Sequence, residues 1–178
     1  IFVSPDGNPQ GTGDIKDPMP FDVAYGLMKR GQSIILLPGN YVRTEKLEIA
    51  ETNSGLSKSP KAIIGYKQAQ AEADGYAVDG VVIPDGEAVF DMNKGNNGII
   101  CHADYWIFKN ITIANGGTNS KPFHIGGDGN LIENVKVHDC KDSGINLSRT
   151  SSSQQTIKDW PSNNIFKNCE VWNCADSS

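Results

Sequence analysis

The sequence predicts an all-β chain wound into a parallel β-helix, a solenoid whose N-terminal end is capped by one short helix. Three observations carry this. An eight-residue pattern recurs as WIFKNITI at 106–113, NLIENVKV at 130–137 and NIFKNCEV at 164–171. A shorter strand segment precedes each copy, the third with an inserted loop between: GIICH at 98–102, PFHIG at 122–126 and GINLS at 144–148. The chain also holds 19 glycines and many asparagines, residues that weaken helices and suit turns. A repeat of twenty to thirty residues built from short strands is the signature of a solenoid.

The elements follow in order. Residues 1–4 read as a short strand and 5–17 as a turn-rich loop (PDGNPQGTGDIKD). Over residues 21–30, Phe21, Ala24, Tyr25, Leu27 and Met28 share one face of a helix. Lys29 and Arg30 stand at its C-terminal end, where cations suit the dipole, and Gly31 is the stop. Residues 33–37 form a strand closed by Pro38, Gly39 and Asn40. Further strands are expected over 42–49 and 62–66, then an irregular insertion over 67–86.

In the repeats, Ile99, Phe123 and Ile145 occupy one face together with Cys101, Ile125 and Leu147, while Ile100, His124 and Asn146 face the other way. Each coil thus holds about three strands, and coils stack by parallel pairing at ~4.8 Å. Asn110, Asn134 and Asn168 are then superposed at a bend, as a ladder of amides. Residues 150–162 are a loop inserted into the last repeat. Cys140 and Cys174 share the ladder's spacing and stack, either as a disulfide or as two free thiols. Cys101 and Cys169 fall at core positions. The helix over 21–30 covers strand edges that would otherwise invite association.

Composition bounds the function. A length of 178 residues suits one domain, 1–178. With 38% hydrophobic and 21% charged residues, the chain is neither a disordered acidic tail nor a membrane span. Sixteen basic against 21 acidic residues, a net charge of −5, weigh against a nucleic-acid partner. The four cysteines show no CxxC spacing, which argues against a zinc or thioredoxin-type redox site.

The segments FVSPDG (2–7), RGQSI (30–34), LPGNY (37–41) and SPKAII (59–64) resemble the start of secreted right-handed β-helix polysaccharide lyases. NLIEN (130–134), HDCKDSGINLS (138–148) and NIFKNC (164–169) resemble polysaccharide lyase family 9, which contains pectate and rhamnogalacturonan lyases. The resemblance covers nearly the whole chain. It implies a right-handed β-helix that is the N-terminal portion of a longer enzyme. It also implies a secreted, periplasmic or cell-surface monomer acting on pectin or rhamnogalacturonan, an acidic plant polysaccharide.

The implied chemistry is β-elimination on a uronate. Ca2+ bound to the carboxylate stabilises the negative charge that develops, and a lysine of suppressed pKa takes the α proton. No Asp-Asp-Gly calcium motif occurs here, so the resemblance carries no catalytic residue onto this chain. The expected substrate-binding residues are His124 and Asn146, outward on neighbouring coils, with Lys121 and Arg149 at the ends of their strands and Trp160 in the inserted loop. The alternatives at those positions are a solvated polar face and a tryptophan that packs its loop. Asp139 and Asp142 are either calcium ligands or turn caps. Against the lyase stand a non-catalytic carbohydrate-binding or scaffold β-helix and a β-helix glycoside hydrolase, which needs paired carboxylates.

Overall fold

The computed structural model describes residues 1–67, 73, 81, 83, 85–148 and 156–175. Among the described residues, fifteen strands wind through three parallel sheets. The first sheet orders β1 (Phe2–Val3), β2 (Ser33–Leu36), β5 (Lys61–Gly65), β8 (Trp106–Lys109), β11 (Leu131–Glu133) and β14 (Ile165–Lys167). The second stacks β3 (Gly39–Val42), β6 (Ala88–Asp91), β9 (Ile111–Ala114), β12 (Lys136–Cys140) and β15 (Glu170–Cys174). The third stacks β4 (Leu47–Ile49), β7 (Ile99–Cys101), β10 (Phe123–Ile125) and β13 (Ile145–Leu147). The chain visits the sheets in that order, coil after coil.

The register is the one the repeats predict. Ile99 pairs with Phe123 and Phe123 with Ile145, and the same holds for Ile100, His124 and Asn146. Inward residues build one continuous core. Trp106 and Phe108 stack at 6.0 Å, and Phe108 meets Phe123 edge-on at 5.1 Å. All three are fully buried, each worth roughly 1.5–3 kcal/mol of transfer free energy.

The asparagine ladder stands at the bend between the first and second sheets. Asn110, Asn134 and Asn168 have φ of 56°, 53° and 52°. This left-handed conformation is one that asparagine tolerates better than most side chains. Asn134 Nδ2 donates to Asn110 Oδ1 at 2.9 Å. The ladder ends downward at Gly65, whose coil register matches Asn110. A Cβ there would lie 2.0 Å from the Asn110 carbonyl oxygen, so the close stacking of backbones demands glycine.

Two expectations need correction. Helix α1 spans Phe21–Leu27 rather than 21–30. Met28 turns extended (φ −63°, ψ 125°) and buries its side chain. Lys29 and Arg30 therefore lie outside the helix, in a turn where the Lys29 amide donates to Gln32 Oε1 and Gly31 adopts φ +77°. Residues 42–49 are not one strand. Gly39 and Asn40 open β3, and the exposed run Thr44, Glu45 and Lys46 forms a corner before β4. A coil of three sheets needs that corner, because a straight eight-residue strand would carry its apolar face off the core.

Helix α1 covers the end of the interior. Phe21, Ala24 and Met28 join the core, and Phe21 meets Phe90 edge-on at 5.1 Å. Asp22 pairs with Arg43 at 2.7 Å, and Tyr25 Oη donates to the Glu48 carbonyl of β4. Lys61 is buried beneath it, with Nζ bonded to Asn53 Oδ1 and set 5.7 Å from the Trp106 ring centroid. Burial, and then the charge of Arg30, lowers its pKa.

Cys140 and Cys174 pair in register as free thiols. Burial, first of all, pushes the Cys140 thiol up to about 12. Cys101 is fully buried, whereas Cys169 is only half-buried because it belongs to the last coil. The expected insertion over 67–86 and the first part of the 150–162 loop lie largely or wholly outside the described residues.

Candidate functional site

Corners between sheets hold the polar residues, and side-chain ladders order them. At the corner from the third sheet to the first, the amide of each coil is capped from the coil before. Asp104 N donates to Ser54 Oγ (2.9 Å), Asp128 N to Asp104 Oδ1 (2.7 Å) and Ser162 N to Asp128 Oδ1 (2.7 Å). Asn130 and Asn164 work in the opposite direction, accepting from Trp106 N (2.7 Å) and Asn130 N (2.9 Å). These bonds satisfy donors that strand ends leave bare.

A second left-handed ladder stands at the far end of the second sheet. Asn115, Asp139 and Asn173 have φ of 60°, 55° and 50°. Their spacing equals that of Asn110, Asn134 and Asn168, and that equality was the available signal in the sequence. Asn173 Nδ2 donates to Asp139, whose other oxygen meets His138 Nδ1 at 2.7 Å. These two bonds, Asn173 first, hold the Asp139 carboxyl below its ordinary range. Asp142 accepts from the Ser143 amide at 2.6 Å and hydroxyl at 3.2 Å. Both aspartates thus accept bonds from neighbouring side chains and backbone. Among the described residues no three His, Cys, Asp or Glu side chains gather to hold a metal ion, so the described residues do not fit a calcium centre.

The outward row of the third sheet runs Glu48, Ile100, His124 and Asn146. His124 is only 3% exposed despite its outward register. Its Nε2 lies 3.0 Å from the Ser148 carbonyl, which can only accept, so Nε2 carries the proton. Burial leads the lowering of its pKa, with the charges of Lys121 and His102 adding to it. Ser148 in turn donates to Asn146 Oδ1 at 2.7 Å. His124 thus fixes the end of β13 instead of presenting itself to solvent. Arg149 lies outside the described residues. Trp160 is 46% exposed and follows a 3-10 turn, Ile157–Asp159, closed by reciprocal bonds between Thr156 and Asp159.

Lys121 stands exposed at the corner from the second sheet to the third. There it lines a cavity of about 210 Å³ with Lys46, Asn97, Gly98, Ile100 and Asn119. A single strand over 42–49 hides Lys46; the register of Leu47 with Ile99 and Phe123 places it. On the first and second sheets, three outward lysines are neutralised. Glu133 bridges Lys109 and Lys167 (3.8 and 2.7 Å), and Glu87 receives Lys136 Nζ (2.5 Å) and the Thr112 hydroxyl (2.7 Å). The bonds from Lys136 and Thr112 lower the Glu87 pKa.

All 178 residues match the model of the Pel9A-like, right-handed β-helix region. Pectate lyase L of Thermoclostridium stercorarium is 34% identical over the whole chain, and pectate lyase L of Paenibacillus polymyxa 29% identical over 99% of it. The chain spans only 13% and 36% of those two proteins. Two solved structures share the fold. The crystal structure of pectate lyase Pel9A superposes with a TM-score of 0.61 at 18% identity, covering 98% of this chain and 46% of that one. A rhamnogalacturonan lyase superposes with 0.62 at 14% identity, covering 96% and 51%.

Proposed function

The chain belongs to the Pel9A-like right-handed β-helix family within polysaccharide lyase family 9, and from that premise we propose that it serves the cleavage of a pectic, uronate-containing polysaccharide by calcium-dependent β-elimination. The observation that carries this reading is the full-length match to a pectate lyase at 34% identity. In β-elimination a base removes the proton α to the uronate carboxylate, the electron pair forms a C=C bond, and the glycosidic oxygen leaves with the neighbouring sugar. No water is consumed, so the new end is unsaturated. The described residues supply no calcium centre, and neither the calcium ligands nor the base is assigned to a residue of this chain.

What these residues contribute, in this proposal, is a sugar-holding surface. Asn146, Lys121 and Trp160 are the exposed or half-exposed members of the set drawn from the sequence. His124 acts behind them by fixing Ser148. The polymer is too large to enter a cell, so the protein meets it outside, as a secreted or surface monomer.

The test is the ultraviolet absorbance of unsaturated ends. The protein in its full length is incubated with polygalacturonate or rhamnogalacturonan, with calcium or with a chelator. A calcium-dependent rise supports the lyase. Cleavage without that absorbance makes the protein a hydrolase. Binding without cleavage makes it a carbohydrate-binding β-helix.

A further inference from the structure

The corner between the second and third sheets differs in charge from the rest of the molecule. Its four stretches, 43–46, 92–98, 115–122 and 141–144, carry Arg43, Lys46, Lys94, Lys121 and Lys141 against two acids, Glu45 and Asp142. The chain as a whole has 16 basic and 21 acidic residues. Arg43 is neutralised by Asp22. Lys46 and Lys121 pair with no carboxylate among the described residues, although Lys109, Lys136 and Lys167 on other faces all do. Glu48, the acid on the row beside Ile100, is turned to His102 at 3.1 Å.

These two free ammonium groups flank the 210 Å³ cavity. Lys46 lies one residue before β4 and Lys121 two residues before β10, with the Asn97–Gly98 coil between them. Gly98 is obligatory in that coil: a Cβ there would lie 2.1 Å from the Lys121 carbonyl oxygen. Its absence keeps the floor low. Asn97 spends its Nδ2 on the Arg43 carbonyl at 3.1 Å, which orders the wall. Ile100 gives a half-exposed apolar patch beside the charges. Clefts lined by one sign of charge concentrate counter-ions of the other.

We infer that this corner cleft is a subsite for the carboxylate of a uronate sugar, held between Lys46 and Lys121 with the sugar ring against Ile100. The inference rests on the polysaccharide reading and adds a location and a charge requirement to it. Sugars without a carboxylate are held less tightly, and methyl esterification, which removes the charge, weakens binding. Lys94, on the coil between those of Lys46 and Lys121, and Lys141, on the next coil of the same corner, extend the attraction along the stack.

Binding of the full chain to polygalacturonate, to its methyl ester and to dextran, followed by affinity electrophoresis and calorimetry, tests this. The wild type is expected to prefer polygalacturonate. K46A and K121A each weaken binding about fivefold and the double variant about twentyfold. K46R/K121R retains binding, and K58A, at an exposed turn on another corner, leaves it unchanged. Unaltered thermal unfolding of K46A/K121A shows that the fold is intact. If the wild type binds polygalacturonate and K46A/K121A binds it equally well, the subsite is overturned while the polysaccharide reading stands. Equal binding of the methyl ester also overturns the subsite. If the wild type binds neither pectic polymer, both fall.

Discussion

The two ends of the coil stack make opposite use of equivalent residues. At the N-terminal end, α1 lays Phe21 and Ala24 on the core, Met28 follows from the extended residue after it, and the interior there is closed. At the other edge of the described stack, Phe166, Val171 and Leu147 are 38%, 48% and 45% exposed, although their register partners Ile132, Val137 and Ile125 are all at 0%. The side chains are of one kind and the strands of one geometry. Among the described residues, what differs is whether a neighbouring coil of this chain covers them. In a solenoid each repeat contacts only its neighbours, so burial belongs to a position in the stack and not to a sequence motif.

Core truncation breaks or sharpens this comparison most strongly. Phe108→Ala is expected to cost about 4 kcal/mol, since its ring touches Trp106 and Phe123 with no exposure. In the 178-residue chain by itself, Phe166→Ala is expected to cost about 1 kcal/mol, because its ring is 38% exposed there. Urea titrations of the two variants measure both, and equal losses would break the comparison.

The ladder comes next. Asn134→Ala forces a Cβ without amide into φ 53° and removes the bond to Asn110, together about 2 kcal/mol. Asn134→Gly relieves the backbone and is expected to lose about 1 kcal/mol, from the bond alone. Denaturant midpoints in that order support the left-handed bend as the reason for asparagine, and the reverse order removes it.

Acidification acts on His124 by a smaller amount. Its folded pKa lies below the ordinary 6.5 because burial disfavours the charged ring. The unfolded chain therefore binds more protons just below pH 6.5. Stability is full above that value and falls as the pH drops from 6.5 towards the folded pKa. Melting temperatures of the wild type should fall across this window, and those of H124Q should stay flatter.

The smallest effect is at the cap surface. Asp22→Asn removes the partner of Arg43, but the Asp22 side chain is 70% exposed, so a loss of about 0.5 kcal/mol is expected from thermal unfolding. A much larger loss would make the cap depend on charge more than on its buried ring.

Much of the fold was legible because stacking writes itself into the sequence. Asn110, Asn134 and Asn168 recur because each bend needs a left-handed residue whose amide can reach its neighbour, and the pairings of β7, β10 and β13 follow from the same offsets. The first coils were less legible. Strands of three or four residues over 39–49 leave too little alternation to show the corner between β3 and β4, and Lys46 was lost with it. The helix was overextended because Met28 is apolar at the expected spacing, yet it reaches the core from an extended backbone.

The candidate site was legible only in part. The outward register of His124 and Asn146 could be read from alternation, which reports face and not depth. The burial of His124 depends on Ser148, which arrives from the next coil. Asp139 and Asp142 carry the same carboxylate whether they bind metal or cap a turn, and only their partners Asn173, His138 and Ser143 distinguish the two.

By itself the sequence determined the solenoid, its register and the asparagine bends, because repeated local geometry needs repeated residues. Only the tertiary structure decided which residues are covered, which charges are neutralised and that Lys46 and Lys121 line one cavity. Those properties arise between coils tens of residues apart, where proximity is set by stacking and leaves no local trace in the chain.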